Sequence, residues 1–559
     1  MYFSCYLNSF KQDLQCIWNT YKLPLTVAFA HFVLSSVFQI DIYFFDYKNI
    51  NSKIILIKLI YLTFLAVSWC FIFHVKSQLK EKKSFYKRAF RIFCVYYSIC
   101  LILMVFIWPG TWFWDDICTL DGIKSYTSLF SWQHILTGVY LDILLNIIPT
   151  PGGAIILQLG IISIIVSYVI TKLEYSFNLP KLKFSYFDIV IKCSPFLLPP
   201  IILFQYSGYR IGIYMYLELC TIVMLVCSKR ENTAWSKTKF YTFVALCILV
   251  STWRSEAALY LLLICLLIFF VNKKVLSKVR KVKFLAIFFF GFSIVSCAQK
   301  IILGNDNYLI ISICNISTEL VHHMDRDKFK NELAIFDKFI PIAIIDKNPS
   351  MTGTDHFWNG NIKTNTTRQD LKDYIRAIIK LSFEYPTVVF HERNRYFWGA
   401  MCGELLWSID TTSVFDANTK FSTGILYKNS KWIYKLPIST NVRKNFLDTI
   451  FLKNQLNSIP AKIMWNNFIP TLVLLVFTTA LLIRKQWFYS AVLLISLSKI
   501  PIIYVTSPAP LFMYFVSYYL LGYSMLIFFC YYSVVKIGKL QKKLIKVFYK
   551  AAVKKYYNI

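Results

Sequence analysis

Apolar residues recur along this chain in long runs, each of the length a helix needs to cross a bilayer core, about 17–25 residues at ~1.5 Å rise per residue. The runs fall at roughly 24–44, 53–75, 91–108, 153–171, 188–205, 210–227, 240–253, 257–271, 284–302, 464–483, 488–505 and 511–535. They predict an all-α polytopic membrane protein of about 12 transmembrane helices. Buried helices of a soluble protein are a poor alternative, because their sum would leave too little polar surface to cover them. The first run is expected to serve as an uncleaved insertion signal, since the first twenty residues lack a small-residue cleavage site.

Polar residues between the runs set an orientation. The segment KSQLKEKKSFYKRAFR from Lys76 to Arg91 is strongly basic, as is NKKVLSKVRKVK from Asn272 to Lys283. Cytoplasmic loops retain Lys and Arg, so both are expected inside, which places the N- and C-termini in the cytoplasm. The other loops agree. Ser228–Lys239, Arg484–Trp487 and the tail after Val535 fall inside and are basic, whereas 109–152 and 303–463 fall outside. Four regions follow: a transmembrane region 1–302 with a first outer loop at 109–152, an extracytoplasmic α or α+β domain at 303–462, C-terminal transmembrane helices at 463–535, and a basic amphipathic tail at 536–559. That tail, KIGKLQKKLIKVFYKAAVKKYYNI, repeats apolar residues at helical spacing between lysines and is expected to lie on the inner leaflet.

Composition changes this picture little. An apolar content of 57% and 18% aromatics fit a membrane protein. The net charge of +32 comes from short bursts flanking the spans, not from a basic domain, so membrane lipids are the expected partner and nucleic acid is not. The fifteen cysteines are scattered, mostly in apolar runs, without CxxC pairs or Cys/His clusters, and read as small hydrophobes. No Walker motif, Rossmann glycine pattern or GxSxG elbow occurs.

Candidate chemistry concentrates in the first outer loop, IWPGTWFWDDICTLDGIKSYTSLFSWQHILTGVYLDILLNIIPTPGG. Trp108, Trp112 and Trp114 match an interfacial aromatic belt, and Asp115, Asp116 and Asp121 stand among or just after them. An acid pair against tryptophans at a membrane surface is costly to desolvate. One carboxylate could act as a general base on a hydroxyl while its neighbour holds a metal or substrate hydroxyls. The alternative is a pair of solvated loop acids. Ile135–Ile148 is too short to span and reads as an amphipathic helix in the outer interface, with Gln133 and His134 at its start. His134 could shuttle a proton or grip a phosphate, or be an ordinary helix-start residue. Arg254 and Glu256, in Trp253-Arg254-Ser255-Glu256, lie between two short spans. Arg254 could reach a phosphate leaving group, or simply pair with Glu256. Gln205, Tyr209 and Arg210 lie at another outer loop and could line the same cavity. Within 303–462, His322, His323, Asp325, Asp327 and the Asp355-His356 pair lack a defined metal-ligand periodicity and read as surface positions. His391-Glu392-Arg393 reads as a solvated charged turn.

The outer loop with its Asp-Asp, the re-entering helix, the many further spans and the late outer domain together resemble the GT-C superfamily of membrane glycosyltransferases. More narrowly, DDICTLDGIKSYTSLFSWQHILTGVYLDIL, WRSEAALYLLL and ISTELVHHMDRDKF with TDHFWNG are similar to an uncharacterised bacterial multi-pass family related to that superfamily. The resemblance implies transfer of a sugar from a polyprenyl-phosphate donor to a cell-envelope glycan or lipid acceptor at the outer face. It implies Asp115 or Asp116 as the catalytic acid of the first loop and Arg254 as a donor-phosphate contact. Such loops often carry His-Pro, whereas His134 here precedes Ile135. The superfamily contains metal-dependent and metal-independent members, so a requirement for Mg²⁺ or Mn²⁺ stays open. A polysaccharide polymerase or ligase, or a transporter or flippase for lipid-linked glycans, are the alternative readings.

Overall fold

The computed structural model of the protein describes residues 21–45, 49–124, 135–182, 184–254, 257, 263, 265–303, 308–363, 366–402, 439–451 and 458–556. Among these the chain is helical, with no strand. The amino-terminal half runs through α1 (Tyr21–Val37), α2 (Ser52–Lys80), α3 (Ser84–Ile107), α4 (Trp114–Lys124), α5 (Ile135–Ile147), α6 (Pro151–Ser176), α7 (Ser185–Cys193), α8 (Pro199–Gln205), α9 (Arg210–Glu231), α10 (Lys237–Trp253) and α11 (Lys278–Leu303). A group of shorter helices follows: α12 (Tyr308–His323), α13 (Lys330–Asp337), α14 (Ile342–Lys347), α15 (Gly353–Trp358), α16 (Arg368–Glu384), α17 (Pro386–Cys402) and α18 (Thr440–Ile450). The chain ends in α19 (Ile459–Met464), α20 (Phe468–Ile483), α21 (Trp487–Leu497), α22 (Lys499–Thr506) and α23 (Val516–Tyr556).

Among the described residues, seven helical stretches are long and apolar enough to cross a membrane: Ser52–Lys80, Ser84–Ile107, Pro151–Ser176, Arg210–Glu231, Lys278–Ile301, Trp487–Thr506 and Phe512–Gly538. An eighth forms if Ser185–Leu197 and Pro199–Gln205, bent by 74°, count as one. The bend has a local cause. Pro199 and Pro200 lack an amide N–H, and the residue before a proline is pushed to extended geometry, as Leu198 is at ψ 141°. Of the other expected runs, α1 and α20 are shorter apolar helices, α10 is a helix of 17 residues, and positions 258–262 and 264 of the run 257–271 lie outside the described residues.

Burial sorts the long helices. In α9, 89% of the apolar window is enclosed by the protein, against 11% in α11, whose Phe289, Phe290 and Ile294 face outward. The membrane-type bundle is therefore organised around α9, with α6, α10, α21 and α23 packed on it. Residues 308–402 contain a second apolar core around Phe336, Phe339, Tyr374 and Leu381, separate from that of the bundle. Its helices start at strong caps: Thr352 with Asp355, and Thr367 with Asp370, each form a reciprocal capping box.

Three local expectations change. Helix α5 does not present one face to an interface, because Leu141, Asp142, Ile143, Leu144, Leu145 and Asn146 are all buried against neighbouring helices. Residues 536–556 are not a separate amphipathic helix; they continue the last span without interruption in α23. Glu392 and Arg393 are not a solvated turn but a buried pair, and Arg393 donates to the carbonyls of Val505 (3.1 Å) and Ser507 (3.0 Å).

Candidate active site

The site grows from the way the chain leaves α3. Beyond Ile107, a cis Trp108–Pro109 bond leads to Gly110 at φ 124°, where a Cβ would stand 2.6 Å from the Tyr206 carbonyl. Only glycine fits there. The segment is then stitched to the break between α8 and α9. The Thr111 amide donates to the Tyr206 carbonyl at 2.9 Å, and its hydroxyl donates to Leu203. Trp112 is fully buried, its Nε1 donating to the Pro109 carbonyl at 2.9 Å, and its ring lies where a Cβ on Gly208 would be. Trp112 is therefore a packing residue inside the protein and not part of an interfacial belt. Arg443, on α18, closes the loop from the other side, donating to the carbonyls of Trp108 (3.0 Å) and Gly110 (2.9 Å). Burial pushes its guanidinium down to about 10.

This scaffold fixes the acid pair at the start of α4. Asp116 is buried, and its Oδ2 accepts from the Phe113 amide at 3.1 Å and from the Ser207 hydroxyl. Among the described residues its Oδ1 meets no donor. Asp115 is partly exposed and accepts from the Tyr209 phenol at 3.1 Å. Ser207 is itself held by the Tyr209 amide at 2.9 Å, and Gln158 donates to the carbonyls of Gln205 (2.9 Å) and Ser207 (2.7 Å). Gln205 in turn accepts from the phenols of Tyr96 (2.9 Å) and Tyr216 (2.7 Å). A rigid polar frame thus stands behind both carboxylates. Burial raises Asp116 well above the usual carboxylate range. It raises Asp115 less, with the Arg210 charge and the Tyr209 phenol drawing that group back.

Arg210 opens α9, its carbonyl anchored by Trp253 Nε1 at 3.0 Å. Beyond it lies a small pocket lined by Tyr214, Arg254, Lys499, Ile502, Ile503, Tyr514 and Ser517. The Arg254 guanidinium and the Lys499 ammonium each stand 5.8 Å from the centre of the Tyr214 ring. Lys499 donates to both Glu218 oxygens at 2.7 Å and to Ser517. The Tyr209 phenol donates to Asp115, the Arg210 guanidinium stands 5.9 Å from the centre of the Tyr209 ring, and Tyr214, one turn further along α9, lines the pocket with Arg254, so the start of α9 links the acid pair to the pocket. Arg210, Tyr214 and Glu218 recur every fourth residue and make a polar stripe down one face of α9.

Among the residues singled out in the sequence, Asp115, Asp116, Arg210 and Arg254 are brought together here. Asp121 lies on α4 with its side chain outside the described set, and Gln133, His134 and Glu256 fall outside the described residues. The histidine-rich stretch takes no part: Asp325 Oδ1 accepts from the amides of Asp327 (3.0 Å) and Lys328 (3.1 Å), as a turn residue does. Among the described residues, no group of three or more His, Cys, Asp or Glu is arranged to hold a metal ion. The acid pair supplies two carboxylates. Ser207, Tyr214, Lys499, Tyr514 and Arg443 had escaped the sequence reading. A signal existed for one of them: Lys499 is a charge inside an apolar run, and such charges rarely occur without a function or a partner.

Comparison of the chain with family models, with curated proteins and with solved structures finds no match.

Proposed function

We propose that the protein is a membrane glycosyltransferase that moves a sugar from a polyprenyl-phosphate donor to a glycan or lipid acceptor of the cell envelope. The observation that carries this reading is that the start of α9 links the acid pair to the pocket at Arg254: Tyr209 donates to Asp115, Arg210 stands over the Tyr209 ring, and Tyr214 faces Arg254. Transfer to a hydroxyl needs a base for the acceptor proton and cations for the charge that develops on the leaving phosphate, and the two halves of the site supply one each. In this mechanism Asp115, the more exposed acid, takes the proton of the acceptor hydroxyl, whose oxygen forms the new bond to the sugar from the face opposite the phosphate. Arg254 and Arg210 offset the negative charge on the departing lipid phosphate. Asp116, tied to Phe113 and Ser207, keeps α4 in place and strengthens its neighbour. The apolar Ile502 and Ile503 suit a lipid-borne substrate.

The reading also needs a topology. Twelve crossings with both termini cytoplasmic put the acid pair on the outer face, and the basic loops Lys76–Arg91 and Asn272–Lys283 support that placement. Reporter fusions at these loops and at 303–462 test it directly. Activity is tested with the protein in lipid, offered a panel of polyprenyl-phosphate sugars with and without Mg²⁺ or Mn²⁺. Donor consumption lost in Asp115→Asn is the expected result. Full consumption by folded Asp115→Asn and Asp116→Asn proteins would sink the mechanism. Products carrying many sugars per turnover would instead indicate a polymerase or ligase.

One feature favours a second reading. The Lys499–Glu218 pair lies buried within the apolar helices, and intramembrane ion pairs also mark translocation paths. Movement of a lipid-linked glycan across vesicles, surviving loss of Asp115 and Asp116, would select a flippase over a transferase.

A further inference from the structure

The elbow between α16 and α17 carries large apolar side chains that nothing among the described residues covers. Phe383 is 84% exposed, Phe390 63%, Ile379 53% and Trp398 51%. Their neighbours α12 and α13 bury the opposite face of α16 through Tyr374, Ala377, Ile378 and Leu381, so the exposed residues are not a shortage of core.

The position of α17 shows what lies beside them. Arg393 grips the carbonyls of Val505 and Ser507 at the end of the span Trp487–Thr506, and Phe397 packs on Tyr504 with ring centres 5.5 Å apart. Farther along the same helix, the Met401 carbonyl accepts from the Asn467 amide at 2.8 Å, at the start of apolar α20. Helices α20 and α21 are antiparallel neighbours joined by a tight turn, so both anchor points lie at one level, the same end of the bundle. A helix tied at two points along its length to that level lies across that end of the bundle. Helix α16 joins it at the elbow, and one exposed side of α16 is graded from there: Phe383 in the last turn with Glu384 beside it, Ile379 one turn back with Lys380 beside it, then Arg376 and Lys372 farther away. Large apolar side chains nearest the elbow with basic ones farther from it is the order in which an element meets an acyl boundary and then anionic headgroups.

We infer that the α16–α17 elbow is seated in the headgroup layer of the leaflet on its own side of the membrane, with Ile379, Phe383, Phe390 and Trp398 immersed in lipid. The small helical unit of residues 308–402 is thereby held against the bilayer as well as against the ends of the spans. This inference is independent of the catalytic reading and of which leaflet is the outer one.

The test uses the whole protein in nanodiscs containing anionic phospholipid. A photo-crosslinking p-benzoylphenylalanine is placed at position 383 or 390, with position 372 as the control, and adducts are read by mass spectrometry. Lipid adducts at 383 and 390, about tenfold above those at 372, are expected of an element inserted at an interface. Adducts to another copy of the chain, or none to lipid, would overturn the inference. Hydroxyl-radical footprinting of the unmodified protein gives a second measure. Phe383 is expected to oxidise no faster than the outward-facing Phe468 of α20, and oxidation several-fold faster would overturn it as well.

Discussion

Two clusters of buried charge sit at opposite ends of α3, and they are built on opposite principles. At its start, Arg88 donates to Glu174 (2.9 and 2.7 Å) and to Asp188, while Lys192 donates to Glu174 (2.7 Å) and Asp188 (3.0 Å). Tyr531 and the Leu182 amide fill the remaining Asp188 oxygen. Two cations face two anions, and every carboxylate oxygen is bonded. Past the far end of α3, Asp116 keeps one oxygen without a donor among the described residues, and Asp115 accepts from Tyr209 at the start of the helix that lines the pocket of Arg254 and Lys499. A closed network rigidifies the protein, whereas an unsatisfied one has capacity left for a ligand. The comparison teaches that burial of charge alone does not single out the candidate site here; what differs between the two clusters is how completely their charges are paired.

That contrast can be broken by substitution. The largest effect is expected at the open cluster: Asp115→Asn should lower transfer about 10²–10⁴-fold, the range of a lost general base. Lys192→Met at the closed cluster should leave turnover per folded molecule unchanged, and rates normalised to folded protein decide between them. Next comes stability. Lys192→Met or Glu174→Gln should each cost about 3–5 kcal/mol, because a buried charge loses its partner. The double variant should cost less than the sum, and thermal unfolding in lipid reads the difference.

A smaller effect is expected from Gly208→Ala, whose new methyl would meet the Trp112 ring. Overpacking of this kind costs about 1–3 kcal/mol, and it should lower activity through the displaced Ser207 and Asp116. The smallest concerns pH. Burial lets folded Asp116 keep its proton above the ~3.9 of an unfolded chain, so its contribution to stability is complete below that value. It is lost as pH rises from there through the raised folded value. Unfolding measured between acid and neutral pH should therefore fall more steeply for the natural protein than for Asp116→Asn. Identical slopes would show that Asp116 titrates normally.

Much of the candidate site could be read along the chain. Asp115 and Asp116 stand out because two acids beside tryptophans need a reason, and Arg254 because it interrupts an apolar run. The frame behind them could not be read. Gln158 and Ser207, or Arg443 and Gly110, carry no local mark, and their roles arise from contacts 49 and 333 residues apart in sequence. Trp112 also misled, since a Trp at a membrane boundary and a Trp buried behind a loop have the same sequence surroundings.

By itself the sequence determined the class of the protein: a helix is the only single element that satisfies its own backbone in lipid, so long apolar runs must become helices such as α2, α3, α6 and α9. It also determined where helices start, through caps such as Thr367 with Asp370. The tertiary structure decided which helix lies at the centre, which charges are closed and which are open, and that α5, Trp112 and Arg393 are enclosed. The physical reason is that backbone hydrogen bonds in a helix are local, whereas burial and charge pairing depend on which distant segments pack together.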